Sequence, residues 1–571
     1  MIKRFSGLLM VFVLLATAFP LYPQPLGPSY VVYFTDKDNS PYSIDNPSEF
    51  LTAAALDRRS RQGIDISMDD IPVNASYIQA VTSAGAQIAA VSRWFNTVAV
   101  WIYDADIIPL IADLPFVLKV EPMSQANNTH TPPVYRKNKE FFEIEESKLP
   151  AVVPPVKSFK NDFFNYGSGF NQIDMVNGIG LHNQGFRGQG MVIAVLDAGF
   201  RKVDVNPAFD SLRAHNRILG TRDFVTPGNN VYHPGIHAHG ANVLSIMAAN
   251  LPGQMVGSAP DASYWLIRTE DADGPYMNSE YLMEEYFWIS GAEFADSVGA
   301  WVINSSLGYA DFFDDPSQNH TYSDMDGNTT PVTRGANRAT AKGILVVNSA
   351  GNSGDSPWQH IIAPSDGFDV MAIGAVNANG AYAFFSSKGP SYDGRVKPDV
   401  TAQGLGTTYV SSGGSVLSGN GTSYSSPIIA GMAACLWQTQ MDASSTDVRN
   451  AIRQSASQYL NPDHLLGYGI PDFSKAHFLL TFDSTVDVKN GTVNLFPNPA
   501  NEFIIIRLQK AGDYIRRIEI SDLSGRLLMS RDYKNSQQFE VRENLSRLDA
   551  GIYLVRIDLA EASETIRLIR F

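Results

Sequence analysis

Apolar and polar positions follow three different patterns along this chain, and each predicts a different architecture. In the first, residues 31–34 form a short β-rich run and residues 48–61 and 74–84 carry helical spacing. A long strand-like stretch covers 87–103, a short helix 106–114, and a closing strand 116–120. Strands and helices alternating at this size predict an α/β plait. From about 166 to 480 the pattern changes to short, wholly apolar runs, among them 191–196, 301–303 and 344–347, separated by helix-like segments. Runs apolar on both faces suit central strands of a mostly parallel sheet with helices on both faces, so this part belongs to the α/β class. Buried helices would need longer runs than these, which are β-rich and end in Gly or Asn. The tail, 486–571, changes again, with strand-like segments at 503–508, 515–520, 551–557 and 565–571 that predict a β-sandwich.

Between the first two patterns lies a stretch that cannot build a core. It holds Asn127-Asn128, Pro132-Pro133, an acidic patch over 140–146 and Pro154-Pro155, and it predicts a linker. The chain starts differently again. Lys3 and Arg4 precede an apolar run over 8–16, and Ala16-Thr17-Ala18 offers a small-x-small cleavage site, which together predict a secretory signal. That run is too short to span a bilayer comfortably, and no later stretch does so, so no integral membrane segment is expected once the signal is removed. The expected division is therefore signal peptide 1–23, plait 24–121, linker 122–165, α/β domain 166–480 and β-sandwich 486–571.

Charge and cysteine content narrow the class. Asp and Glu outnumber Lys and Arg by 58 to 43, a formal net charge of −15 that argues against a nucleic-acid surface. The single cysteine, Cys435, excludes an intrachain disulfide. An exported chain without disulfides must rely on core size, ion binding or assisted folding. Cys435 lies among Ala430, Met432, Ala433, Ala434 and Leu436, a setting that predicts an inert buried thiol.

Three short words carry the candidate chemistry: Asp197-Ala198-Gly199, His239-Gly240, and 421–427, which reads Gly-Thr-Ser-Tyr-Ser-Ser-Pro. Asp197 follows an apolar run, so its carboxylate should emerge at the carboxyl edge of the sheet, where ligands gather in open α/β folds. His239 opens a helix expected over 240–249. Ser423 precedes a small-residue helix, with Pro427 expected in its first turn, where a missing N–H costs little. A serine hydroxyl is a poor nucleophile until an imidazole takes its proton and a carboxylate holds the imidazole's tautomer. The neighbouring His237 makes a His-x-His pair, but zinc would need further Cys or His ligands that the sequence does not offer. An acidic insertion, 311–328, holds Asp314-Asp315 and Asp324-Met325-Asp326-Gly327-Asn328. Such oxygen-rich turns can hold a structural calcium, but the spacing lacks a full loop set, so a solvated loop is the primary reading.

The order Asp, His, Ser and the Gly-Thr-Ser-x-Ser-x-Pro word resemble the subtilase family of serine proteases. The family's Asp-(Thr/Ser)-Gly here reads Asp-Ala-Gly, and its His-Gly-Thr-His-Val reads His-Gly-Ala-Asn-Val over 239–243. Ser349-Ala350-Gly351-Asn352 is similar to that family's Ala-Gly-Asn word. The resemblance implies that Asn352 donates its side-chain amide to the oxyanion, beside the Ser423 backbone N–H. Ile303-Asn304-Ser305-Ser306-Leu307-Gly308 resembles the family's edge strand that pairs with an extended polypeptide substrate, which implies that Ser306, Leu307 and Gly308 bind substrate and that Ser349, Ala350 and Gly351 form the other wall of the primary pocket. Gly257-Ser258-Ala259-Pro260 and the block 386–399 also resemble the family. The plait, with Trp94-Phe95-Asn96-Thr97-Val98-Ala99-Val100, is similar to the propeptide that chaperones and inhibits such enzymes. Phe496-Pro497-Asn498-Pro499-Ala500 and 548–553 resemble the C-terminal sorting domain of type IX secretion substrates.

The resemblance implies a secreted serine endopeptidase, made as a zymogen, that needs no cofactor and reaches the medium or the cell surface through the periplasm. Its partners would be polypeptides, its own propeptide and the secretion machinery. A transpeptidase on the same fold and a catalytically silent surface binding protein are the rival readings. An amine-acceptor assay and a fluorophosphonate label would separate them.

Overall fold

The computed structural model describes residues 27–123, 162–226, 228–273, 279–483 and, within the tail, 493–498, 500–508, 514–522, 526–533, 538–549, 551–560 and 563–570. The expected signal peptide and most of the expected linker lie outside the described residues. The chain divides into two compact units, Met1–His477 and Phe478–Phe571.

The first unit begins with a four-stranded antiparallel sheet in the order Gln87–Ser92, Thr97–Trp101, Ser29–Phe34, Val117–Pro122. Period-2 alternation gives it two different faces. Val32, Phe34, Val98 and Val100 close a small core with Tyr77 and Val81 from the helix Ala75–Ser83 and with Ile111 from the helix Ile107–Ala112. Their neighbours Val31, Ala90 and Ala99 face the other way, onto Tyr281, Met283, Tyr286 and Phe287 around the start of the helix Met283–Ser297. The stretch 87–103, expected as one strand, is a hairpin that turns at residues 93–96, with Asn96 at φ 53°. The turn, Arg93-Trp94-Phe95-Asn96, carries two aromatic residues because Trp94 joins the core of the following domain and Phe95 packs against it, and these concealed the break.

That domain is built on seven parallel strands in the order Val400–Gln403, Met371–Val376, Leu345–Ser349, Val302–Ser305, Val192–Asp197, Ser263–Arg268, Ile218–Asp223. Alternation in one central strand shows helices on both faces. Ser305 accepts from Trp288 Nε1 (3.0 Å) of the helix Met283–Ser297, whereas Asn304 accepts from Ser426 Oγ (3.1 Å) of the helix Thr422–Gln438. After Val192–Asp197 the chain adds two strands on one side and then crosses to begin Val302–Ser305 on the other. This reversal opens a crevice at the carboxyl edge, between Asp197 and Ser306.

The second unit is a β-sandwich. A three-stranded sheet, Val493–Phe496, Phe503–Leu508 and Glu540–Asn544, shares a core with a four-stranded sheet, Leu527–Asp532, Ile515–Asp522, Gly551–Leu559 and Ser563–Arg570. Ile504 and Ile506 from one sheet meet Ile518, Ile520 and Val555 from the other.

Candidate active site

Asp197 ends its strand fully buried, and its Oδ1 accepts from the Ala198 N–H (2.7 Å) and lies 2.8 Å from His239 Nδ1. His239 opens the helix His239–Ala248, as expected, and is 3% exposed. The approach needs glycine at 240, where a Cβ would come within 2.6 Å of the Gly199 carbonyl oxygen and 2.9 Å of Asp197 Cβ. Donating its Nδ1 hydrogen to Asp197 fixes the neutral imidazole as the tautomer whose Nε2 is an acceptor. Upstream, His237 Nδ1 accepts from the His239 N–H (3.2 Å), so this ring orders the helix entry.

Ser423 is the second residue of the helix Thr422–Gln438 and is 3% exposed. The helix begins five residues before Pro427, so that proline is interior and not in the first turn as expected. Its missing N–H would have bonded the Ser423 carbonyl. That carbonyl instead accepts from Ser306 Oγ (3.1 Å), which ties the serine to the end of the strand Val302–Ser305. The following residue, Tyr424, stacks on Tyr409 and lies 6.4 Å, ring to ring, from His239. Together these contacts bring the start of this helix beside the Asp197–His239 pair.

Asn352 follows the strand Leu345–Ser349 and meets the same helix start. Its Oδ1 accepts from both the N–H (2.8 Å) and the hydroxyl (2.9 Å) of Thr422. The amide is thereby oriented by its oxygen, with Nδ2 3.5 Å from where a Cβ on Gly421 would stand. Gly421 sits at φ 147°, which favours glycine.

The two expected walls flank this helix start. Gly351 N–H donates to Thr422 Oγ1 (3.2 Å), and Asn348 Nδ2 links the walls by donating to the carbonyls of Leu307 (3.1 Å) and Ser349 (2.9 Å). Ala350 N–H bonds Ile373 O (2.9 Å), continuing the sheet on the far side. The expectation of an edge strand over 303–308 is corrected. Val302–Ser305 is central, paired on both sides, so only its continuation through Ser306, Leu307 and Gly308, itself buried, lies beyond that two-sided pairing.

In the acidic insertion the carboxylates cap their own turns. Asp326 accepts from Asn328 and Thr329, Asp324 from Thr321, and Asp315 from Ser317. Elsewhere the sequence reading missed a buried group: Glu270, Glu280 and Glu284 bring carboxylate oxygens within 4.8 Å of one another, with Tyr309 donating to Glu270 (3.0 Å). Glu284 lies in the helix Met283–Ser297 and Glu280 in the loop before it, so only the fold unites them with Glu270. Cys435 is buried against Ser258 O (3.3 Å), and burial pushes its thiol well up, consistent with an inert side chain.

Residues 188–469 match the model of the subtilase family, 29–139 that of the peptidase S8 propeptide domain of Bacteroidota, and 494–570 that of a secretion system C-terminal sorting domain. Subtilisin BL of Lederbergia lenta is 32% identical over 301 residues, 52% of this chain and 94% of the relative. Subtilisin amylosacchariticus of Bacillus subtilis subsp. amylosacchariticus is 29% identical, over 52% of this chain and 68% of its own. The alkaline protease of Alkalihalobacillus alcalophilus is 31% identical, over 52% and 67%. A parallel α/β domain with these likenesses defines a serine endopeptidase. The chain belongs to the subtilase family, with that family's propeptide before the enzyme and a sorting domain after it. The sorting domain marks it for secretion or attachment to the cell surface. Among the described residues no helix is long and apolar enough to cross a membrane.

Proposed function

We propose that this protein hydrolyses peptide bonds through Asp197, His239 and Ser423. His239 Nε2 takes the Ser423 proton as Oγ attacks the substrate carbonyl, and Asp197 orients and stabilises the imidazolium. The tetrahedral oxyanion is met by the Ser423 backbone N–H and Asn352 Nδ2, near the positive end of the helix Thr422–Gln438. His239 then protonates the departing amine, and water, activated by the same imidazole, releases the acyl group. The observation that carries this reading is the buried 2.8 Å contact of Asp197 with His239 beside the helix that begins at Thr422. The side chains named supply every step, so the chemistry calls for no cofactor.

The propeptide is proposed to stay docked until it is cut off within 122–165. Its hold is electrostatic as well as apolar. Arg58, Arg59 and Arg93 converge on Asp296 of the helix Met283–Ser297 at 2.5, 2.6 and 2.7 Å, and Glu293 accepts from Ser92 Oγ (2.5 Å) and the N–H groups of Arg93 (2.9 Å) and Trp94 (3.1 Å). The tail, on this reading, is an export address recognised by type IX machinery after periplasmic transit. Labelling the secreted protein with a fluorophosphonate tests the core of the proposal. Loss of label in Ser423→Ala is expected, and undiminished labelling or turnover in that variant would overturn it.

A further inference from the structure

Between the two walls of the cleft runs a segment that no sequence word singled out. The Ile362 N–H donates to Ala350 O (3.2 Å), and Ala363 exchanges both backbone hydrogen bonds with Tyr309 (2.9 and 3.0 Å). Residues 362–363 therefore bridge the wall 349–351 to the continuation of 306–308 and form a floor beneath both.

The Ile362 side chain rises from that floor into the gap. A Cβ on Gly308 would collide with its Cδ1 and come within 2.6 Å of its Cγ1, while a Cβ on Gly351 would lie 3.0 Å from the same two atoms. One terminal methyl therefore stands against both walls, and glycine on each side is what leaves room for it. Ile362 is fully buried and packs on Ala310, with Trp358 beside it. Each wall also touches the start of the serine's helix, one through Gly351 and Thr422, the other through Ser306 and Ser423. A substrate residue whose carbonyl carbon meets Ser423 Oγ would direct its side chain into this gap.

We propose that Ile362 is a specificity-determining residue: it fills the primary side-chain pocket between Gly308 and Gly351 and restricts cleavage to bonds that follow small residues such as Ala, Ser or Gly. The proposal rests on the catalytic reading above, which makes Ser423 the nucleophile. A long or aromatic side chain would have to displace a methyl held by a rigid floor, because overfilling a packed site forces off-rotamer side chains and backbone shifts. Single-methylene differences in such pockets are worth roughly 10–200-fold in kcat/KM.

The test uses the full-length chain, allowed to mature, with succinyl-Ala-Ala-Pro-Xaa-p-nitroanilides in which Xaa is Ala, Leu or Phe. The wild type is expected to favour Ala over Phe by at least about tenfold in kcat/KM. Ile362→Ala should raise the Phe-to-Ala ratio of kcat/KM by about tenfold or more. Ile362→Val removes only the terminal methyl, so it keeps the fold if the Ala variant does not, and it should shift the Leu-to-Ala ratio in the same direction. A wild type that cleaves Phe as well as Ala, or a folded Val variant with an unchanged ratio, overturns the proposal. Fluorophosphonate labelling keeps the two readings apart. A labelled enzyme that prefers Phe sinks only the pocket assignment, whereas an unlabelled chain that hydrolyses none of the three sinks the catalytic reading and the pocket with it.

Discussion

Ser306 and Ser423 hold one another: the Ser306 hydroxyl donates to the Ser423 carbonyl oxygen at 3.1 Å, and the Ser423 hydroxyl lies 3.4 Å from the Ser306 carbonyl oxygen. The first bond replaces the helical partner that Pro427 cannot supply. Ser306→Ala therefore leaves a buried carbonyl without that donor, at an expected cost of about 1–3 kcal/mol. Urea denaturation should show a lower midpoint, and turnover should fall because the backbone of Ser423, the proposed nucleophile, loses this tie. Unchanged midpoint and turnover together would refute the role given to this pair.

Asn352→Ala should lower kcat by roughly 10²–10³ and leave KM nearly unchanged, since an oxyanion exists only in the transition state. Because Thr422 holds the Asn352 oxygen through two donors, Thr422→Val should give part of the same kcat loss while the amide itself remains. Steady-state kinetics on one good substrate decides it. A rise in KM at constant kcat would make Asn352 a binding residue.

Much of the candidate site was legible because the proposed chemistry sits in contiguous words at the ends of elements. Asp197, His239 and Ser423 each lie within two residues of a strand or helix terminus. What was not legible depends on residues far apart in sequence. Ile362 matters through Gly308 and Gly351, and nothing near it signals that role. The sheet's strand order, which makes Val302–Ser305 central, is likewise a non-local property. Pattern itself misled in the propeptide, where a turn carrying Trp94 and Phe95, packed on the enzyme core, looked like unbroken strand.

The propeptide arginines illustrate the same limit, since Arg58 meets Asp296 across 238 residues with both side chains wholly buried. Removing one partner of such a group strands the other charges, typically at about 3–5 kcal/mol. Asp296→Asn in the full chain should therefore reduce the yield of mature enzyme, while each molecule that does fold keeps its activity. Residues 27–123, added separately, should inhibit the matured wild type and inhibit the variant about a hundredfold less well. Equal inhibition constants would show that the apolar face alone holds the propeptide.

His320 provides a pH-dependent contribution. Burial disfavours its charged form, but Glu285, 2.5 Å away and itself buried, outweighs this and holds the His320 pKa above the ordinary value. Glu285 also accepts the Val332 N–H (2.9 Å) at the start of the helix Pro331–Ala341, so the pair ties the acidic insertion to that helix. A raised folded-state pKa stabilises fully below the unfolded value, about pH 6.5, and the benefit is lost as pH rises through the folded value. His320→Gln should therefore lower Tm at pH 6 and converge on the wild type at alkaline pH. A Tm difference that stays constant across this range would contradict the assignment.

The sandwich after the enzyme contributes none of the proposed catalytic groups, all of which precede the compact unit that begins at Phe478. It closes its own core, with residues such as Ile504, Ile518 and Val555 fully buried within it. A unit with its own core can be removed without opening the core of its neighbour. Deleting residues after about 485 should therefore leave the purified enzyme with the wild-type kcat/KM. In a host with type IX secretion, the same deletion should strand the protein in the periplasm, and the tail fused to a signal-bearing reporter should carry it out. Full yield of truncated enzyme in the medium would remove the export role and leave the sandwich as a structural or substrate-binding module. Loss of activity on deletion, with the remaining domain still folded by circular dichroism, would instead make it part of the catalytic unit.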